Sequence, residues 1–410
     1  MRAFRVSRTG AAAYPAAGLV AGLVAGLAAL GVATSVMLAP VPAAARDEGT
    51  TVAEAAGVTL EGRGYGHGRG MSQHGAQGAA SEHGKTYRQI LDFYYPGLDL
   101  GKARGDLRVL LTVDTTSKLV VRNASGLQLR RVSNGRTWNL KRSGAKRWRI
   151  TGAAGGASRL QVLAGGWHTV RTVPDTVEFA RKGGPLRLVT SSGVRRYAGS
   201  LRSIPGSGGR DTLNVVSLEA YLRGVVPREV PALWHPQAVR AQAVAARTYA
   251  AFERAANKGR AYDLCDTSAC QVYGGLDDAH PASDDAIRAT RRTVLRSGGK
   301  PAFTQFSASN GGWTVAGSLS YQQAHRDTWD RWSGNPYASW RQTISKAAIE
   351  SAYPGIGSFV RVKVRKRDGH GAWNGRVLKI RIVGSAGRTV VSGETFRAVF
   401  GLRSSWFRVV

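Results

Sequence analysis

Glu229 stands in "VVPREVPALWHP", Val225 to Pro236, with Pro227 and Pro231 on either side. Two prolines fix the backbone around a lone carboxyl group, and a rigid turn is where an enzyme holds a general acid. The plain alternative is a Glu that caps or ion-pairs near the helix opening at Pro236, a common place for acidic side chains. Arg240 and Arg247 are seven residues apart, as are Gln242 and Tyr249, so on a helix each pair shares a face two turns apart. Such stripes are either a solvated face or the few polar members of a buried helix converging on something, and the small apolar neighbours fit the second reading.

Other chemistry-bearing residues point less far. The loop "GYGHGRG" lacks the Lys-Ser/Thr ending of a P-loop and the G-x-G-x-x-G spacing, so a nucleotide is not expected there. Glycines at this density let backbone approach a ligand or another strand closely. His67, His74 and His83 lack the spacing of a zinc motif and read as hydrogen-bonded loop histidines. Ser309 and Asn310 precede a glycine pair in "SASNGG", with no G-x-S-x-G nucleophile elbow. Cys265 and Cys270, in "YDLCDTSACQVYGG", have Asp263 and Asp266 near them but no His, so a disulfide without metal is expected if the protein is exported. No cofactor is called for.

The elements that must hold these residues alternate in character. A glycine loop runs into helix, loop and helix from Gly62 to Gly97. Short β-like runs, "LRVLLTV", "KLVVRN", "SRLQVL" and "LRLVTS", follow from Leu107 to Tyr197. "DTLNVVSLEAYLRGVVPREVP" predicts a strand and a short helix ending near Pro227. Pro236 then opens the strongest helix, with Gly259 just past its end.

Over the 410 residues, 58 Lys and Arg against 26 Asp and Glu give a formal charge of +32. Such an excess draws polyanions, among them nucleic acid, anionic lipid and acidic wall polymers. Arg2, Arg5 and Arg8, the uncharged stretch Ala16 to Pro40 and the small residues Ala43 to Ala45 read as an export signal, either cleaved or kept as an anchor because the stretch is long. Export, together with scattered rather than striped arginines, argues against nucleic acid and leaves wall polymer as the leading partner.

The motifs "LNVVSLEAYLRGVVPREVP", "AVRAQAVAARTYA", "CDTSACQVYGG", "FSASNGGWT", "GETFRAVFGLRSSWF" and "GYGHGRGMSQHGAQGAA" together resemble the SpoIID/LytB family of peptidoglycan-acting proteins. The resemblance implies an α+β fold with a SpoIID-like catalytic core and, in the SpoIID branch, a lytic transglycosylase that cuts glycan strands stripped of stem peptides. It makes Glu229 the catalytic acid and puts Gln242, Arg247 and Ser309 at motif positions near the site. One carboxylate then suffices, whereas ordinary glycoside hydrolysis wants two. Arg247 would orient a sugar substituent, and the glycine loop, His67 and Gln73 would line the groove. The LytB name implies the rival function, a non-catalytic glycan-binding enhancer of a wall amidase.

The chain departs from the family pattern in three places. Ala269 stands where some members have a zinc-ligating His, and Arg240 stands where Lys is usual. The Gly-His-Gly motif comes before the other motifs instead of after "LRSSWF", as in a circular permutation. The expected organisation is a signal over 1–45, a linker over 46–61, a permuted core segment over 62–104, a β-rich segment over 105–200, the catalytic core over 201–345 and a C-terminal β segment over 346–410.

Overall fold

A computed structural model describes residues 57–410 apart from Thr115 and Ser207. The expected signal and residues 46–56 of the expected linker lie outside the described residues. The remainder of that linker is not linker: Val58–Gly62 is a strand of alternating burial. The fold mixes helix and strand, as α+β requires. Among the described residues no helix is long and apolar enough to cross a membrane.

Eight α-helices are described: α1 (Gln73–Ser81), α2 (Tyr87–Tyr94), α3 (Leu218–Leu222), α4 (Val226–Glu229), α5 (Pro236–Ala256), α6 (Pro281–Ala289), α7 (Lys346–Ala352) and α8 (Gly393–Val399). Each of α1, α2, α3, α7 and α8 starts on a Ser or Thr whose hydroxyl accepts an N–H of the first turn. In α5, Pro236 occupies the first turn and the His235 ring accepts from the Gln237 N–H.

Short alternating strands build two large sheets. One has seven strands in the order Leu264–Cys265, Asp106–Leu110, Gly209–Ser217, Ser200–Gly206, Val177–Arg181, Leu127–Arg131 and Thr137–Asn139. The other has six, in the order Gly166–Val173, Ser158–Ala164, Arg147–Gly152, Leu119–Arg122, Leu186–Thr190 and Gly193–Tyr197. Leu107, Val109, Leu129 and Phe179 of the first share one core with Trp148, Ile150, Val162 and Leu188 of the second. That core also takes Val225 and Val226 at α4 and Val239, Ala243, Ala246 and Ala250 of α5. The expected boundary at residue 200 therefore separates nothing: Ser200–Gly206 and Gly209–Ser217 are central strands of the same sheet, because a sheet face needs both its neighbours to bury its alternate residues.

A second core joins Met71, Ala76 and Ala79 of the motif segment, Ile90 and Leu91 of α2, and Ala238, Ala241, Val244 and Ala245 of α5. The third holds the two ends of the described chain together. Strand Val58–Gly62 pairs antiparallel with Trp340–Ile344 on one side and Phe407–Val409 on the other, with Gly62 opposite Phe407. Val58, Leu60 and Phe407 pack with Ile380 and Ile382 of a three-stranded sheet formed by Phe359–Arg367, Val377–Gly384 and Arg388–Ser392.

Candidate functional site

Helix α5 lies between the first two cores, and its sequence explains how. At ~100° per residue, Val239, Ala243, Ala246 and Ala250 form a stripe toward the first core, and Ala238, Ala241 and Ala245 one toward the second. Two seams remain. Gln242, Tyr249 and Glu253 fall on one; Arg240 and Arg247 fall on the other, more than a third of a turn away by the same arithmetic. The two polar stripes thus face apart, and they cannot line one site together.

Glu229 belongs to the first seam. It is the last residue of the one-turn helix α4, and Pro227 lies in that helix's first turn instead of ending the preceding one. The expected short helix ending near Pro227 is corrected accordingly, since α3 ends at Leu222 and Pro227 opens a second turn of helix. Val226 and Val230 anchor this turn in the first core. From the second core, α1 presents Gln73, whose Nε2 donates to Glu229 Oε2 at 3.3 Å. Nearby, the Gln77 amide oxygen accepts the His235 N–H at 2.9 Å, tying α1 to the start of α5.

Burial pushes the Glu229 carboxyl up to about 7, and the Gln73 hydrogen bond pulls it partway back. Although its carboxyl is crowded by protein atoms, Glu229 remains partly open to solvent, so a buried-type carboxyl is still within reach from outside. Tyr249 is raised chiefly by burial and then by Glu253, to which its hydroxyl hydrogen-bonds, with a smaller contribution from the Glu229 charge. Burial raises Glu253 as well, while Tyr249 and Asn257 pull it back. Glu253 was not singled out in the sequence; its place one turn beyond Tyr249 is the signal that would have found it. Gln242 is completely buried on this seam, and neither atom of its side-chain amide has a hydrogen-bond partner among the described residues.

The remaining expected site residues lie elsewhere. Arg247 is fully buried, and its guanidinium grips Glu219 through Nε at 3.0 Å and Nη2 at 2.9 Å. Its other N–H groups reach the carbonyls of Ala243, Ile287 and Thr293 and the Thr290 hydroxyl. Every donor is spent, so Arg247 braces α5 against α3 and α6 and does not hold a sugar. Arg240 shares that seam, half-buried, with an Nε that finds no partner among the described residues.

Ser309 is likewise fully buried. Its hydroxyl donates to Asp330 at 2.8 Å and accepts from Gly311 N and Asn335 Nδ2. Asp330 also takes the hydroxyl of Ser72, the cap of α1, and Asp327 takes the Tyr94 hydroxyl and the Asn310 amide. Ser309 thus belongs to a polar knot that sets where α1, and with it Gln73, begins.

The glycine loop is part of the same framework. Gly64, Gly66, Gly68 and Gly70 alternate at φ of 76, 106, 74 and 63°, a left-handed conformation that favours glycine. Their N–H groups do not line a groove. Gly64 donates to Tyr337 O, Gly66 to Arg403 O and Gly68 to Ser307 Oγ. A Cβ at Gly70 would come within 2.1 Å of Gln305 O. His67 accepts from Arg69 N, and burial first, then Arg69, Arg376 and Arg397, holds it down at about 3. No contact joins it to Glu229.

Cys265 and Cys270 are joined in a disulfide with Cα atoms 5.5 Å apart. The bridge shapes the loop that carries Gln271, whose amide accepts from Tyr221 and donates to Ala246 O of α5.

Comparison with known proteins falls on this part of the chain. The family model described as "Stage II sporulation protein", SpoIID, matches residues 207–296. Over 136 residues, 32% of this chain and 18% of the relative, the sequence is 35% identical to the Amidase enhancer of Bacillus subtilis (strain 168). It is 36% identical over 126 residues to an uncharacterized protein of Brachyspira hyodysenteriae, covering 30% and 34% of the two chains. Stage II sporulation protein D of Bacillus subtilis is 27% identical over 139 residues, 28% of this chain and 40% of that protein. The matched region thus spans from 18% to 40% of these relatives' own length. Residues 207–296, where the SpoIID family model matches, carry Glu229, Gln242, Arg247 and both cysteines.

Proposed function

We propose that the chain is a peptidoglycan lytic transglycosylase in which Glu229 is both general acid and general base. The observation that carries this reading is a partly accessible carboxyl, raised to about 7 by burial and held by the Gln73 amide. A carboxyl in that range is protonated often enough to give its proton to a glycosidic oxygen near neutral pH, and basic enough afterwards to take one back. In the second half-reaction the C6 hydroxyl of the muramic acid attacks C1, its proton passes to the Glu229 carboxylate, and a 1,6-anhydro end is left. The nucleophile comes from the substrate, so no second carboxylate has to act. Gln73 stays neutral throughout and orients one carboxylate oxygen. The Gln242 amide, completely buried and unpartnered among the described residues, offers a donor and an acceptor to an enclosed ordered water on the same seam and is closed to a sugar hydroxyl.

The setting we propose is the cell wall, with glycan strands lacking stem peptides as substrate and export through the N-terminal segment. One relative's name favours a second reading, in which the domain binds glycan and enhances an amidase without cutting. Incubating purified protein with bare glycan strands, followed by mass spectrometry, separates the two. Anhydro-muramic ends that disappear in Glu229→Gln support catalysis. Intact strands, with an amidase made faster by the same protein, support the enhancer.

A further inference from the structure

The three-stranded sheet of the third core has one apolar and one charged face. Val364 opposite Ile380, and Val362 opposite Ile382, lie toward the core. The other face presents Arg361, Lys363, Arg365 and Lys366 from the first strand, Lys379 and Arg381 from the second and Arg388 from the third. None of the three strands contains an acidic residue, and none of these seven side chains is in an ion pair among the described residues.

Lys363 stands directly opposite Arg381, and Lys366 directly opposite Lys379. Like charges facing each other across a ladder destabilise a sheet, so this face is at odds with itself until something negative lies on it. Arg365 foremost, then desolvation and Arg388, lower the affinity of the Arg381 guanidinium for its proton, the response expected of crowded cations.

We propose that this sheet face binds a flexible polymer of repeating phosphodiesters. Alternate residues along a strand recur every ~6.7 Å and neighbouring strands lie ~4.8 Å apart, so the cations form a grid on which an extended chain of singly charged groups meets several at once. Seven cations outnumber the exposed large apolar side chains of these strands, Val360, Leu378 and Val390, which stand one to a strand and not as the contiguous apolar wedge that a lipid bilayer would reward. The proposal does not rest on the reading of Glu229.

Binding of a poly(glycerol phosphate) chain to the full-length protein, followed by titration calorimetry at several salt concentrations, tests it. Replacing Arg361, Lys363, Arg381 and Arg388 by Gln should weaken binding at least tenfold and flatten the plot of log affinity against log salt by about 3, at ~0.7 per lost contact. As a control, Arg122, Lys141, Lys146 and Arg147 on or beside the six-stranded sheet, all exposed, are changed to Gln; that variant should bind within about threefold of the unaltered protein. Equal losses in both variants would mean that binding follows net charge alone, and would overturn the proposal. So would tighter binding to vesicles of phosphatidylglycerol, or to an oligothymidylate of the same charge, than to the glycerol polymer. Unchanged thermal unfolding of each variant, or of the double variants Arg361→Gln/Lys363→Gln and Arg381→Gln/Arg388→Gln, excludes misfolding as the cause.

Discussion

Glu229 owes its acid–base range to one short helix and one amide, and both leave a trace in pH dependence. Because the carboxyl must be protonated to begin the reaction, glycan cleavage is expected to fall as pH rises through about 7, measured as initial rate against pH. Glu229→Gln keeps the size and removes the proton; the rate should drop at least ~100-fold with unfolding temperature preserved. Gln73→Leu removes the donor that favours the carboxylate, so the falling limb should move to higher pH, a displacement that simple loss of packing would not produce. Stability follows the opposite group to the usual acid. The folded carboxyl lies above its unfolded value, so its contribution is fully present below the ordinary Glu range and is lost as pH rises through about 7; Glu229→Gln should remove that slope. The short, proline-flanked turn that carries Glu229 was legible in the sequence, and the carboxyl's catalytic role is our proposal. Its partner was legible from the motif alone, since 156 residues separate them and no local spacing reports such a pairing.

Helix α5 was the element read best, because Pro236, an unbroken Ala-rich run and Gly259 mark both ends. What the run could not reveal was which seam faced Glu229. Residue spacing grouped Arg240 with Arg247 and Gln242 with Tyr249 correctly, but the choice between the stripes depends on what α3, α4 and α6 bring from afar. Arg247 therefore makes a prediction opposite to that of a substrate-binding residue. Arg247→Met leaves Glu219 and several buried carbonyls without their donor and should cost ~3 kcal/mol of stability by chemical denaturation. Glycan cleavage per folded molecule should remain within a few fold of wild type. The glycine loop teaches the same lesson. Its composition announced close backbone approach, and the approach is to the Ser307 side chain and to the backbone of Gln305, Tyr337 and Arg403.

Across the whole molecule, two cores meet at α5 while a third joins the first and last described strands, and division at residue 200 failed because sheet partners are chosen across long stretches of sequence. The pairing of Gly62 with Phe407 gives the permuted motif order a physical basis that we propose as its explanation: a fold whose first and last described strands are neighbours can be opened elsewhere and keep its packing. Removing residues 407–410 should accordingly cost at least ~3 kcal/mol, the scale of losing one buried Phe, with a lower unfolding temperature, although the deletion lies far in sequence from Glu229. The central claim is chemical, and one measurement meets it directly: mass spectrometry of bare glycan strands after incubation with the purified protein and with Glu229→Gln. The account predicts 1,6-anhydro-muramic ends from the wild-type chain and at least ~100-fold fewer from the variant. Intact strands from both proteins, or equal cleavage by both, would contradict it.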